Sequence, residues 1–315
     1  MKLISVVTPC YNEEGNVQEV YERVRQEFAK LPNYRYEHIF IDNASTDRTV
    51  AILKAIATKD KNVKIIVNAR NFGHIRSPFY GLLQAQGDAV ISLVSDLQDP
   101  PELIQAFIQK WEEGYKVVAG VKPTTKENKF MASLRRIFYR FISKISEMHL
   151  IQNFTGFGLY DQSIIAILRT IEDPYPYFRG LISEIGFDAA EVPFEQPVRK
   201  HGKTKNNFYT LYDIAMLGIT SHSKLPIRLA TFLGFTLSVV SFLISLFYLI
   251  FKLIFWNRFG FGLAPVLIGL FFFASVQLFF IGLVGEYIAS IHTQVMKRPL
   301  VVERERINFD EVDRH

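Results

Sequence analysis

Between residues 3 and 121 the chain repeats one rhythm: a short β-rich run, a polar cluster, then a stretch with helical spacing of apolar positions. The runs are LISVVTP, EHIFID, VKIIV, AVISLV and KVVAGV, and the helical stretches between them cover 13–30, 47–58, 75–86 and 101–113. This alternation predicts an α/β fold, a mostly parallel sheet with helices on both faces. Ligands of such sheets sit at the carboxyl ends of the strands. The polar clusters PCYNEE, DNASTD, NARNFGH and SDLQD fall at those ends, so four loops are expected on one edge.

A different pattern begins at 130. In FMASLRRIFYRFISKISEM the apolar residues Leu134, Ile137, Phe138, Phe141, Ile142, Ile145 and Met148 recur at helical spacing, with Arg136, Arg140 and Lys144 on another face. This amphipathic helix with a basic side suits either a membrane interface or packing on the sheet. A second amphipathic stretch covers 207–222. Polar positions then vanish: 229–256 has no charge before Lys252, and 261–285 has none. Each exceeds the roughly 20 apolar residues that cross about 30 Å of hydrocarbon, so two transmembrane helices are expected.

The short NRFGFG turn leaves both flanks of that pair on one side. Lys224 and Arg228 precede it and Lys297, Arg298, Arg304 and Arg306 follow it, which by the positive-inside bias places both flanks in the cytoplasm. The expected layout is a cytoplasmic α/β domain at 1–222, the helix pair within 223–290 and a cytoplasmic tail at 291–315.

Composition narrows the partners. A net charge of +5 does not argue for nucleic acid, but basic residues gather beside the apolar segments, as near anionic headgroups. One cysteine, Cys10, excludes an internal disulfide and fits a reducing compartment. The apolar part of MKLISVVTPCYNEE is too short for a secretory signal.

The chemistry centres on SDLQDPPE. Asp96 and Gln98, two residues apart, offer oxygens to a hard cation such as Mg²⁺ or Mn²⁺, which is usually held by one or two protein groups and substrate phosphates. Asp99 before Pro100 reads as the start of a helix, an N-cap followed by a first-turn proline. Asp161, before QSIIAIL, suits an N-cap or a catalytic base equally. No histidine or cysteine cluster has zinc-ligand spacing.

The ordered set ISVVTPCYNEEGNV, IDNASTDRT, RNFGH, SDLQDPPEL and RKHGKTKNN, followed by two apolar spans, resembles the family 2 glycosyltransferases that charge polyprenyl phosphates, which include the dolichol-phosphate mannose synthases and the bactoprenol glucosyltransferases. The resemblance implies a GT-A fold and a metal-dependent transfer that inverts the anomeric carbon. It implies nucleotide-sugar contacts at Pro9, Tyr11, Glu13, Asp42, Arg70, Asp96, Gln98 and Arg199, with Arg70 either near the diphosphate or a surface charge. Asp42 reads as a nucleotide contact and Asp47 as a turn-forming cap. Lys122 with Arg135, Arg136 and Arg140 is implied to meet the lipid phosphate, and Lys205 to act beside Asp96 and Asp161 in catalysis.

Two positions depart from the family's pattern. Val94 stands where an acid usually precedes Asp96 by two residues, and Gly156 where relatives often place another. The base is thereby left open. A phosphate monoester, with a second pKa near 6 and roughly −1.5 to −2 charges, is already a nucleophile and does not need a strong one.

The expected reaction moves one hexose, glucose from UDP-glucose, to undecaprenyl phosphate at the cytoplasmic face of a bacterial inner membrane, by a homo-oligomer. GDP-mannose as donor, or a non-catalytic nucleotide-sugar-binding scaffold, are the alternatives. A processive polysaccharide synthase is disfavoured by the lack of a Gln-x-x-Arg-Trp motif.

Overall fold

A computed structural model describes residues 1–122, 151, 153–197, 225–255 and 263–309. The chain divides into two compact units, Met1–Asn207 with Met296–His315, and Phe208–Val295. The helices expected at 130–148 and 207–222 lie outside the described residues.

The first unit is built on strands β1 (Lys2–Cys10), β2 (Tyr34–Asp42), β3 (Val63–Asn68), β4 (Ala89–Ser92), β5 (Val117–Val121), β6 (Phe154–Asp161), β7 (Ala189–Pro193) and β8 (Glu303–Ile307). They form one sheet in the order β7-β5-β6-β4-β1-β2-β3-β8. Strands β1 to β4 are mutually parallel, with Cys10 opposite Asp42 and Val7 opposite Ser92. Strand β6 runs antiparallel between β4 and β5.

Helices α1 (Val17–Ala29), α2 (Thr49–Lys59) and α4 (Ile104–Glu112) cover one face of the sheet. Helices α3 (Gly73–Leu83), α5 (Gln162–Thr170) and α6 (Phe178–Ile185) cover the other. Strand alternation supplies both cores: Phe40, Ile65 and Val67 face the first layer, while Ile39, Ile41 and Ile66 face the second. Burial on both faces is why these strands read as continuous apolar runs.

Strand β8 was not evident in the sequence, which suggested only a tail at 291–315. It pairs antiparallel with β3, and Asn308 closes the junction by donating to the carbonyls of Ala57 and Val63, both at 2.8 Å. The register slips at Val67/Asn68. As a result Glu305 meets Lys54 of α2 on one face, while Glu303 meets Tyr80 of α3 on the other. Such a bulge re-aims side chains that simple alternation would place together.

The second unit contains α7 (Leu225–Ile254) and α8 (Leu263–Val295). Both include windows long and apolar enough to cross a membrane, with mean hydropathies of 1.9 and 1.7. Their large side chains face outward: Phe235 is 69% exposed and Phe279 69%. Contiguous exposed apolar surface of this kind marks a protein or membrane interaction site.

One buried group makes the first unit acid-sensitive. His38 is fully buried with Nε2 2.9 Å from the Thr8 hydroxyl, and burial holds its pKa down at about 3. The unfolded chain takes up this proton near pH 6.5, so stability is intact above that value and falls as pH drops toward 3. The loss approaches roughly 4 kcal/mol. We expect His38→Gln to flatten this dependence, read as tryptophan fluorescence during acid titration of the detergent-solubilised chain; an unchanged acid midpoint refutes it.

Candidate active site

The carboxyl ends of β1 and β2 are locked by their own loops. Asn12, at φ 57°, turns the chain after β1, and its side-chain oxygen accepts from the Thr46 N–H at 2.8 Å. Its N–H in turn donates to the Ser45 hydroxyl at 2.9 Å. Ala44, also left-handed at φ 62°, lets Ser45 fold back onto Asp42. Asp42 is fully buried and accepts from both the Ser45 N–H, at 2.9 Å, and the Ser45 hydroxyl. Burial raises the Asp42 pKa, and the Ser45 hydrogen bonds and the Arg304 guanidinium oppose that rise. Asp47 does what a turn residue should: its Oδ1 accepts from the Thr49 N–H at 3.0 Å at the start of α2.

Asn43 joins this edge to β3. Its amide donates to Asn71 and to the Gly73 carbonyl at 2.9 and 3.1 Å, and its oxygen accepts from the Phe72 N–H and Asn68 at 2.8 and 3.2 Å. One side chain therefore fixes the ends of two strands and the entry to α3.

Beyond β4 the chain is not a strand. It leaves the ladder at Ser92 and folds over Leu97, which has φ 60°. Such a conformation costs on the order of 1 kcal/mol in a residue with a β-carbon and is typical of functional loops. It brings the Gln98 N–H to Asp96 Oδ1 at 3.1 Å, so Asp96 and Gln98 are related by a turn and not by strand alternation.

Asp99 does not start the helix as expected. Pro100 takes the cap position of the 3₁₀ turn Pro101–Leu103, and the Asp99 side chain turns inward to accept from the Val94 N–H at 3.5 Å. Asp96 and Asp99 are only 8% and 5% exposed, which makes them a pair of buried acids. Burial, then the charge of Asp96, push the Asp99 pKa up to about 7, while Lys122 pulls it down. Lys122, at the end of β5, thus belongs electrostatically to this pocket.

Of the residues expected at the site, Pro9, Tyr11, Glu13, Asp42, Arg70, Asp96, Gln98 and Lys122 all lie on or just past the carboxyl ends of β1 to β5. Glu13 Oε2 also accepts from Asn16 at 2.6 Å, beside the start of α1. Arg70 is exposed, 4.1 Å over the Phe72 ring. Arg135, Arg136, Arg140, Arg199 and Lys205 lie outside the described residues.

Asp161 is a correction. Antiparallel pairing sets it opposite Ala89, at the start of β4, about 10 Å of strand away from the site edge. There it caps α5 through the Ser163 N–H at 3.0 Å, accepts from Trp111 at 2.7 Å and pairs with Lys116 at 3.1 Å. Burial acts to raise its pKa, but these partners hold it at about 2, too acidic for a base.

Gly156 has φ 99°, a left-handed conformation that strains any residue with a β-carbon, so an acid at this point carries a backbone penalty. Asn43, Asp99 and Arg304 were missed as site residues. The first two sit inside recognisable motifs, whereas Arg304 reaches Asp42 only through the pairing of β8, which has no local sequence signature.

The family Glycosyl transferase family 2 matches residues 5–168. The chain is 34% identical over 299 residues to the uncharacterized glycosyltransferase YkcC of Bacillus subtilis (strain 168), covering 95% of this chain and 92% of that one. It is 34% identical over 297 residues to the SfII prophage-derived bactoprenol glucosyl transferase of Shigella flexneri, covering 94% and 96%. Among solved structures, glucosyl-3-phosphoglycerate synthase from Mycobacterium tuberculosis, in complex with Mn²⁺, UDP and glucosyl-3-phosphoglycerate, aligns with TM-score 0.48 at 19% identity, over 70% of this chain and 78% of that one. From residues 5–168 and from relatives alike along nearly its whole length, this chain belongs to glycosyl transferase family 2.

Proposed function

We propose that the protein transfers a single hexose, glucose from UDP-glucose, to a polyprenyl phosphate at the cytoplasmic membrane surface. The carrying observation is the placement of the buried acids Asp42 and Asp96 at the carboxyl ends of β2 and β4, on either side of β1, in a chain alike to a bactoprenol glucosyl transferase over 94% of its length. Two strand spacings, about 10 Å, separate the two acids' strands. That leaves room for a nucleoside held at Asp42 with its diphosphate extending toward Asp96.

In this reading Asp42 accepts from base or ribose donors, with Ser45 fixing its carboxylate, and Tyr11 offers a ring face to the base. Pro9, Glu13 and Arg70 complete the nucleoside end. Asp96 and the half-buried Gln98 supply oxygens only, a donor set that fits Mg²⁺ or Mn²⁺. One or two protein ligands are the usual share for such a cation when substrate phosphates complete the shell. Such an ion, when bound, neutralises charge on the departing diphosphate.

Lys122, beside the two acids, serves the incoming lipid phosphate, as do Arg135, Arg136 and Arg140; Arg199 and Lys205 close on the diphosphate. No strong base is required, because the acceptor is already anionic. Positioning and charge stabilisation carry the rate.

We read α7 and α8 as spanning the membrane. The chain leaves the first unit before α7 and rejoins it after α8, so an even number of crossings is needed, with both flanks on the cytoplasmic side of a bacterial inner membrane. Assembly as a homo-oligomer is part of the same reading.

Three outcomes test the chemistry. With membranes and a panel of radiolabelled nucleotide sugars, Asp96→Asn should lower transfer into extractable lipid about a hundredfold or more, and chelation should abolish wild-type transfer until Mg²⁺ or Mn²⁺ is restored. Wild-type turnover in either case ends the metal-centred mechanism. Asp42→Asn should raise the donor KM about tenfold or more with a smaller change in kcat, since the lost contact serves binding in ground and transition states alike. A pure kcat effect would place Asp42 at the reacting centre instead.

A further inference from the structure

Three arginines gather where β3, α3 and the segment entering β8 meet, and the chemistry above does not use two of them. Arg76, in the first turns of α3, donates to the Pro299 carbonyl, and its electrostatic neighbours are Arg70, Tyr175 and Arg298. The Phe72 ring lies beneath two of these guanidiniums, 4.1 Å from Arg70 and 5.5 Å from Arg76. Burial and the two like charges both lower the Arg76 pKa. Among the described residues none of the three arginines forms an ion pair.

The nearby carboxylates are engaged elsewhere. Glu172 pairs with Lys297 at 3.3 Å, Glu303 with Arg306 at 2.7 Å, and Asp173 accepts from the Tyr175 N–H at 2.8 Å. Arg76 Nε is buried with no partner. The first N–H groups of α3 are already taken, that of Phe72 by Asn43 and that of Gly73 by Asn71, both at 2.8 Å, so the unmet donor here is the arginine's. Gathered cations and an orphaned buried donor lack the same thing, an anion.

Position decides which anion. Strand β3 lies three strand spacings from β4, about 14 Å, so an anion here is remote from a diphosphate held at Asp96 and from any phosphate attacking the sugar. Arg298, by contrast, is exposed and follows the last residue of α8, Val295, by three residues. Covalent geometry keeps it within about 10 Å of the end of that helix. The headgroup layer on each side of a bilayer is of comparable depth, roughly 5–8 Å. Lys297 turns the chain at φ 43° directly after the helix, and its own charge is taken by Glu172.

We propose that Arg76 and Arg298 form a binding site for the phosphate headgroup of an anionic bilayer phospholipid, distinct from the diphosphate and acceptor positions of the transfer site. The proposal rests on α8 spanning the membrane and not on the identity of donor or acceptor, so its test reads lipid retention, which is independent of turnover. Carbonate extraction of membranes checks the span separately.

The full-length chain in non-ionic detergent is incubated with phosphatidylglycerol or phosphatidylcholine, and retained lipid is measured by native mass spectrometry. Wild type should retain phosphatidylglycerol in preference. Arg298→Gln, an exposed change that spares the fold, should weaken retention about fivefold, and adding Arg76→Gln should weaken it further. Lys59→Gln, at the far end of α2, should behave as wild type. Equal retention of both lipids, or wild-type retention by Arg298→Gln, overturns the proposal. Displacement of the lipid by inorganic phosphate at equal concentration also overturns it, by making this a site for free phosphate.

Discussion

Parallel pairing of β1 with β2 and β4 is the constraint on which the site depends. Cys10 stands opposite Asp42, and Val7 opposite Ser92, so the loops that follow must leave from one edge whatever their sequence. Two of the acids those loops deliver, Asp42 and Asp96, are separated by strand spacing and not by flexible chain. A buried carboxylate is costly unless hydrogen bonded, which explains the supports around each: Ser45 on Asp42, the Gln98 N–H on Asp96, the Val94 N–H on Asp99. Three of the six described non-glycine residues with positive φ, Asn12, Ala44 and Leu97, occur in these loops, where they let the chain fold back on the acids.

The second organising feature is the return of the chain after α8. Strand β8 adds to the edge of the sheet at β3 and is tied to both helix layers, through Lys54 on one face and Tyr80 on the other. An edge strand left open is a template for unwanted pairing; β8 covers β3 and leaves as the new edge a short strand rich in charge, ERERI. The same return carries Arg304 to Asp42 and Arg298 to Arg76. The apolar pair is therefore an insertion between two parts of a single folded unit.

The pair of acids at Asp96 and Asp99 alters the view of the missing one. Where relatives are expected to show an acid, Val94 contributes its backbone N–H to Asp99 instead. A second carboxyl group near Asp96 is then supplied from three residues downstream, its pKa raised to about 7 by burial and the charge of Asp96, with Lys122 opposing that rise. Gly156, at the other departure, sits in a backbone conformation that discourages any side chain.

Much of this was legible in the sequence. Five strands, the helices between them and both apolar helices follow from periodicities of 2 and 3.6 and from unbroken apolar length, because such patterns record which faces are buried. The polar clusters placed Asp42, Asp96 and Gln98 at one edge for the same reason, as each follows a readable strand, whereas Lys122 was named only through the family resemblance. Strand β8, the antiparallel insertion of β6, the position of Asp161 and the arginine gathering were not legible. They arise from pairings between segments far apart in the chain: Asp161 looks alike as base or cap until its strand is paired with β4, and Arg298 and Arg304 look like topogenic charges until β8 meets β3. Local pattern carries burial; only tertiary pairing decides which distant polar groups become neighbours.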